Sequence, residues 1–341
     1  MRRRTGASAW AGIFARSVVA MTRMAAASGT RALAKTLKPV FAKRTPPPGA
    51  GAWIPGAVMG ATGARQYRLY LPPGLRIGEH LPLMVMLHGC GQDAVSFAAS
   101  TRMNRIGLRE RFLVLYPEQD RLANAQRCWN WFDTDSGRAA REAALIMKAI
   151  DQVCLMHPVD KSRVAIAGLS AGASMAALLV TQYPARFQAV VMHSGVPPGK
   201  AHSTVSALSA MRGRRATKAP KLPSSTLKTE LQPDWPPLLV IHGDADTVVS
   251  PQNGEAAVQA WADATGASAG RTRSVQRGKR YPMRVTDFKR RGTTVATLVA
   301  VDRLAHAWSG GAASKPFSDG KGPDASRMAW AFAARQFRSL V

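Results

Sequence analysis

The sequence predicts an α/β fold: a mostly parallel central sheet with helices on both faces. Three observations carry the expectation. From about Gln66 onward, short β-rich runs alternate with helix-patterned segments, the rhythm that crossover connections between parallel strands impose. Several of the runs are apolar without interruption, as strands covered on both faces must be. The third is the placement of Gly168-Leu169-Ser170-Ala171-Gly172, which stands where one apolar run passes into a helix-forming segment.

In chain order, residues 1–50 read as a basic extension and linker. Arg2 to Arg4 followed by a short apolar stretch resemble the start of an export signal, but Arg16 and then Arg23 interrupt it. An export signal, a basic amphipathic surface helix and a disordered tail all fit, the last two together better than the first. Pro46 to Pro48 and the glycines after them lead into a catalytic domain over 51–341. The expected strands are 66–70, 83–87, 112–116, 164–167, 189–193, 238–241 and 295–301, rich in Val, Ile, Leu and Tyr. The expected helices are 138–156, 171–182, 254–264 and 324–337, with Asp324 as the start signal of the last. Between the fifth and sixth strands a stretch at about 198–236, basic and rich in Pro, Ser and Lys, breaks the rhythm and reads as an excursion, either a flap or a disordered surface segment.

At 341 residues, 46% apolar, the chain can bury a large core without covalent staples. Its formal charge of +27 is unevenly placed: no Asp or Glu precedes Glu79, and further basic stretches run from Lys200 to Lys228 and from Arg271 to Arg280. Such segments attract anionic surfaces in a salt-sensitive way, although a solvated basic surface is the favoured reading and no specific nucleic-acid partner is expected. Cys90, Cys128 and Cys154 lack zinc-site spacing and are too few for a disulfide scaffold, leaving room for one bridge and one free thiol. No apolar run approaches the roughly 20 residues that span a bilayer, so no transmembrane segment is expected.

The strand, the G-x-S-x-G turn and the helix together form a nucleophile elbow, which lifts a serine hydroxyl clear of the sheet. That makes Ser170 the candidate nucleophile. The α/β-hydrolase fold then requires an acid and a histidine later in the chain, in that order. After His242 the only histidine is His306, in a glycine-rich stretch, and it becomes the candidate base. The strand at 238–241 runs into His242-Gly243-Asp244-Ala245-Asp246. Of the two aspartates Asp246 is preferred, because Val248 and Val249 can anchor its loop while Asp244 sits where Asp commonly bonds its own turn. Oxyanion donors are expected from the Ala171 amide, next to the nucleophile, and from the Cys90 amide in the His88-Gly89-Cys90-Gly91 turn after an early strand. Trp129, Trp131 and Trp308 either pack on the core or line an apolar substrate pocket. A Cys90–Cys128 disulfide would pin the oxyanion turn to the aromatic loop in an oxidising compartment. This chemistry needs no metal and no cofactor.

Several stretches jointly resemble the polyhydroxybutyrate depolymerase family of esterases: Leu87-His88-Gly89-Cys90, Tyr116-Pro117-Glu118-Gln119, Cys128-Trp129-Asn130-Trp131-Phe132, the Ser170 elbow, His306-Ala307-Trp308-Ser309-Gly310-Gly311 and Gly322-Pro323-Asp324-Ala325-Ser326. The resemblance spans about 65–340. It implies carboxylic ester hydrolysis by Ser170, Asp246 and His306, with Cys90 and Ala171 as oxyanion donors, on 3-hydroxybutyrate polymer or oligomers. The family is related to feruloyl and acetylxylan esterases, so ester cleavage is implied more firmly than the polymer. Similar members are often secreted, which implies an extracellular or periplasmic site that this N-terminus supports only weakly. Two departures flank the site: Gly91 stands where a threonine is usual, and Leu304-Ala305 precedes His306 where a glycine is common. A binding protein for nucleic acid, lipid or polymer granules on a hydrolase fold is the alternative from another class, and the complete Ser, Asp and His set argues against it.

Overall fold

The computed structural model describes residues 49–60, 63–213 and 235–338. The chain divides into two units after Pro46. The first unit, with the expected basic extension, lies outside the described residues, as do residues 214–234 of the excursion.

At one edge of an 11-stranded sheet, β1 (Ala52–Gly60) pairs antiparallel with β2 (Gly63–Leu71). The next strands in space are β4 (Leu113–Pro117), β3 (Leu81–Leu87), β5 (Val159–Leu169), β6 (Ala189–His193), β7 (Leu238–Gly243) and β11 (Thr293–Val301), all mutually parallel. Antiparallel β10 (Met283–Arg290) follows, carrying the short β8 (Ser268–Ala269) and β9 (Arg273–Val275). A separate two-stranded ladder joins β12 (Trp308–Ser309) to β13 (Ser318–Asp319). The helices are α1 (Ala94–Thr101), α2 (Met103–Glu110), α3 (Arg138–Met156), α4 (Ala171–Gln182), α5 (Thr204–Met211), α6 (Gln252–Thr265) and α7 (Ala325–Arg338).

On one face Ala165, Ala167 and Leu169 of β5 meet Ala329, Phe332 and Ala333 of α7, and α2 packs beside α7, where Phe112 stacks on Trp330 at 3.9 Å. The opposite face is covered by α3 and α4, which pack on each other and on β5. Every residue of β3, β4, β6 and β7 is buried, which is why these strands read as continuous apolar runs. The fold is the mostly parallel, helix-covered sheet the sequence predicts.

The seven expected strands and four expected helices are all present, with ends moved by a few residues. The additional elements are those with weak signals. β1 is a largely exposed edge strand that contains Pro55, tolerated there because an edge residue need not donate to a ladder. β10 is strongly basic and alternates only partly. α1 and α2 are eight residues each and meet at Arg102, whose φ of 56° breaks what would otherwise read as one segment. Part of the excursion is helix α5, started by a capping box in which Ser203 and Ser206 satisfy each other's backbone donors.

Because the central strands are parallel, their carboxyl ends lie along one rim of the sheet. The turn after β3, the loop after β4, the elbow after β5 and the loops after β6, β7 and β11 therefore share that rim, the usual place for a site on an open α/β sheet.

Candidate active site

Ser170 links β5 directly to α4 with φ 56° and ψ −121°, a conformation that costs a non-glycine residue about 1–3 kcal/mol. The cost is tolerated because both flanks hold it: the Ser170 amide donates to His193 O at 2.8 Å, and the Ser174 amide donates to Ser170 O at 3.1 Å. The two motif glycines make the turn sterically feasible. A Cβ on Gly168 would lie 2.3 Å from Gly172 O, and one on Gly172 would lie 2.2 Å from Leu87 O. Among the described residues the Ser170 hydroxyl makes no hydrogen bond.

Asp246 sits in the loop after β7, buried. Its Oδ1 accepts the amides of Val248 and Val249, each at 2.9 Å, and its Oδ2 accepts Nδ1 of His306 at 2.8 Å. His242 Nε2 lies 3.5 Å from the same Oδ2 and donates to Val249 O at 3.0 Å. Burial works to raise the Asp246 pKa, but the facing His306 and the donors from His242 and His306 outweigh it and hold the carboxyl well below the usual range. The competing Asp244 points elsewhere: its Oδ1 accepts the Arg303 amide at 2.7 Å and stabilises the turn leading to His306. The two loops are in direct contact, since a Cβ on Gly243 would lie 2.0 Å from Leu304 O.

The His306 loop is fastened by the Trp308 amide to Phe317 O, the Ser309 hydroxyl to Pro323 O at 2.6 Å, and the Ser309 amide to His193 Nε2 at 3.1 Å. His193 is fully buried, stacks on Trp308 at 5.1 Å, and has its pKa lowered to about 3, chiefly by desolvation. It is therefore neutral, with Nε2 free of a proton to accept from Ser309 and Nδ1–H facing Ser194 Oγ at 3.2 Å. Through its carbonyl it holds the elbow and through its ring it holds the His306 loop. Neither His193 nor His242 is a candidate site residue from the sequence. His193 is the last residue of β6 and His242 the next to last of β7, which places both on the same rim as Ser170, but neither position marks its partners in the sequence.

In the turn after β3, the Gly89 amide is taken by Gln92 Oε1 at 3.0 Å and the Gly91 amide by Gln126 O at 2.8 Å. The Cys90 amide between them, and the Ala171 amide at the start of α4, make no hydrogen bond among the described residues. The turn lies against the elbow, with the Gly89 Cβ position 3.6 Å from Ser170 Cβ. Cys90 is disulfide-bonded to Cys128, with Cα atoms 4.3 Å apart, and Cys154 is free and buried.

The tryptophans resolve differently from a pocket lining. Trp129 and Trp308 are 0% exposed, and their indole N–H groups are committed to His88 O at 3.0 Å and Ser326 Oγ at 3.1 Å. Neither ring can meet a ligand, and the substrate-contact expectation for these two is corrected: they pack beneath the site loops. Trp131 is buried edge-on against Phe132. The loop of Trp129 and Trp131 rests on a buried polar network that has no mark in the sequence. Glu142 accepts from the Asn130 amide, Asn130 Nδ2 and Gln119 Nε2, while Gln119 also donates to Cys128 O and accepts from Arg65. His88 closes the network, accepting the Gln119 amide on Nε2 and donating Nδ1–H to Gly89 O, with its pKa lowered to about 4, foremost by burial. No group of residues suited to hold a metal ion occurs among the described residues, and no helix there is long and apolar enough to cross a membrane.

A strained serine at a strand-to-helix elbow, with an Asp–His pair on the adjoining loops, defines a serine hydrolase of the α/β-hydrolase class. Within that class the chain belongs to the family described as Esterase PHB depolymerase, whose model matches residues 65–277. The matched span contains Ser170 and Asp246 and stops before His306, short of the 340 expected from the resemblance. Similar curated proteins include poly(3-hydroxyalkanoate) depolymerase C of Paucimonas lemoignei, 32% identical over 188 residues (54% of this chain, 44% of that protein). Feruloyl esterase B of Thermothelomyces thermophilus is 27% identical over 222 residues (59% of this chain, 70% of that protein). The chain thus spans less than half the length of the depolymerase it matches. Among solved structures, the acetyl xylan esterase from Aspergillus awamori aligns with a TM-score of 0.55 at 19% identity, covering 71% of this chain and 89% of its own, a likeness of fold.

Proposed function

We propose that Ser170, His306 and Asp246 form the catalytic triad of this esterase and that its substrates are esters of 3-hydroxyalkanoic acids, as polymer or oligomer. The observation that carries the triad is the 2.8 Å contact of His306 Nδ1 with a buried, doubly amide-bonded Asp246, on the rim where the elbow presents Ser170. Asp246 keeps Nδ1 protonated and leaves Nε2 to take the serine proton. Ser170 Oγ attacks the ester carbonyl, and its proton passes to His306. The oxyanion settles on the Cys90 and Ala171 amides, whose neighbours are already hydrogen-bonded. His306 then protonates the departing alkoxide, and water, deprotonated by the same imidazole, releases the acid. Such a serine–imidazole contact is often long in a free enzyme and tightens in the substrate complex.

The hydroxyalkanoate substrate is supported by the family and by the depolymerase among the relatives. The Cys90–Cys128 bridge supports work in an oxidising compartment. The test is hydrolysis of a short-chain p-nitrophenyl ester panel by wild type and Ser170→Ala, followed by release of 3-hydroxybutyrate, ferulate and acetate from the corresponding polymers. Activity should vanish in the variant, and 3-hydroxybutyrate should be the product released. Full activity in Ser170→Ala would refute the triad, and ferulate or acetate release without 3-hydroxybutyrate would move the substrate to plant polysaccharide.

A further inference from the structure

Two adjoining cavities of about 970 and about 250 Å³ lie between α7, α2 and the β9–β10–β11 end of the sheet, sharing Arg109, Arg280, Asp324 and Arg327. None of Ser170, Asp246 and His306 lines them. Their composition is unusual in two respects. The walls carry nine arginines against three carboxylates, and those carboxylates are engaged: Glu110 pairs with Arg109, Asp287 with Arg273 and Thr297, and Asp324 accepts the Arg327 amide at the start of α7. Arg105, Arg277, Arg327, Arg335 and Arg338 meet no carboxylate among the described residues, and Arg280 is anchored by the carbonyls of Gly320 and Gly322, which fix it without neutralising it. The floor, in contrast, is largely apolar, formed by Val275, Met283, Val285 and Val299 on the sheet side, where the carboxylate of Asp287 is bonded to Thr297 and Arg273, and by Met328 and Phe332 on α7.

A polyanion gains nothing from an apolar floor, and a neutral apolar chain gains nothing from unneutralised guanidinium groups. Apolar floor and arginine wall together suit a molecule with both characters, since guanidinium recognises carboxylate in a bidentate fork while the chain is removed from water. We infer that this groove is a binding site for an apolar chain that ends in a carboxylate, separate from the ester-cleaving site. Such molecules come from two sources, fatty acids and the acid end of an oligoester. The second rests on the hydroxyalkanoate reading above, whereas the first does not.

The experiment is titration calorimetry on the full chain carrying Ser170→Ala, so that nothing is hydrolysed and the groove is tested whatever the enzyme's substrate. The probes are octanoate, a 3-hydroxybutyrate tetramer, 1-octanol and inorganic phosphate. Octanoate or the tetramer should bind at least tenfold more tightly than both octanol and phosphate, and which of the two binds identifies the source. Adding Arg277→Gln and Arg327→Gln should weaken that binding at least tenfold, and Met328→Glu, on the partly exposed floor, should do the same by a different route. Both changes should leave ester hydrolysis unaltered in the Ser170 background. Carboxylate binding no tighter than octanol or phosphate, or unchanged in both variants, would overturn the inference.

Discussion

At the scale of single residues the site separates groups that act from groups that hold them. Asp246 and Asp244 lie two positions apart, yet one faces His306 and the other caps the Arg303 turn. Asp246→Asn should therefore lower kcat by about 10⁴-fold, by leaving the imidazole in the wrong tautomer. Asp244→Asn should change kcat by less than about threefold and cost only a weakened hydrogen bond, about 1 kcal/mol. Steady-state kinetics and thermal denaturation of the pair check both. His193 is a positioning residue: it touches the elbow through its carbonyl and the His306 loop through Nε2. His193→Phe keeps a ring against Trp308 but removes the acceptor for the Ser309 amide. We expect kcat to fall about 10- to 100-fold with KM moved less than about threefold, since a 1 Å misplacement costs on that order. His193→Gln, which restores an acceptor, should recover part of the loss, and equal damage in both variants would mean that only packing matters. The groups proposed to act could be picked out in the sequence because the fold constrains their order along the chain. His193 and His242 could not, because a histidine at the end of a strand carries no local mark of its partners.

At the scale of elements, legibility followed burial. Strands covered on both faces announced themselves as apolar runs, and α3 and α4 were read to their terminal residues because their helix-patterned stretches are long. Edge strands and eight-residue helices left too little pattern, and the motifs around Gln119 and Trp129 were visible without their purpose. They support the turn after β3, the proposed source of one oxyanion donor, which is tied down by several independent contacts. Besides the disulfide, the Gly91 amide reaches Gln126 O, Arg127 pairs with Asp93 at 3.0 Å, and Trp129 donates to His88 O. Redundancy of this kind predicts a divided response to opening the bridge. A crosslink spanning 38 residues contributes roughly 4 kcal/mol through the unfolded chain. Cys128→Ser should lower the melting temperature by several degrees while kcat falls no more than about tenfold. Loss of all activity in a variant that remains folded would show that the disulfide alone shapes the Cys90 amide.

At the scale of the whole molecule, pH acts through the buried histidines as well as through the charge of +27. His88 and His193 are both enclosed and neutral, with pKa values lowered to about 4 and about 3 mainly by desolvation. In the unfolded chain each would titrate near 6.5. Between about 6.5 and 4 the unfolded state therefore holds up to two more protons than the native state. Stability is full above 6.5 and declines as pH falls, by up to about 2.7 kcal/mol per pH unit once both groups take part. Asp246 adds to the same direction lower down, since its carboxylate is held below the ordinary range and its contribution is lost only in stronger acid. The accumulating positive charge on an already basic surface pushes the same way. Denaturant midpoints measured at pH 7.5, 6.5, 5.5 and 4.5 should fall with increasing steepness below 6.5. His193→Phe, which cannot titrate, should be less stable than wild type at pH 7.5 yet lose less on acidification, so that the two curves converge. Parallel curves would show that His193 does not remain neutral in the native protein, and the hydrogen bond it accepts from Ser309 would have to be reassigned.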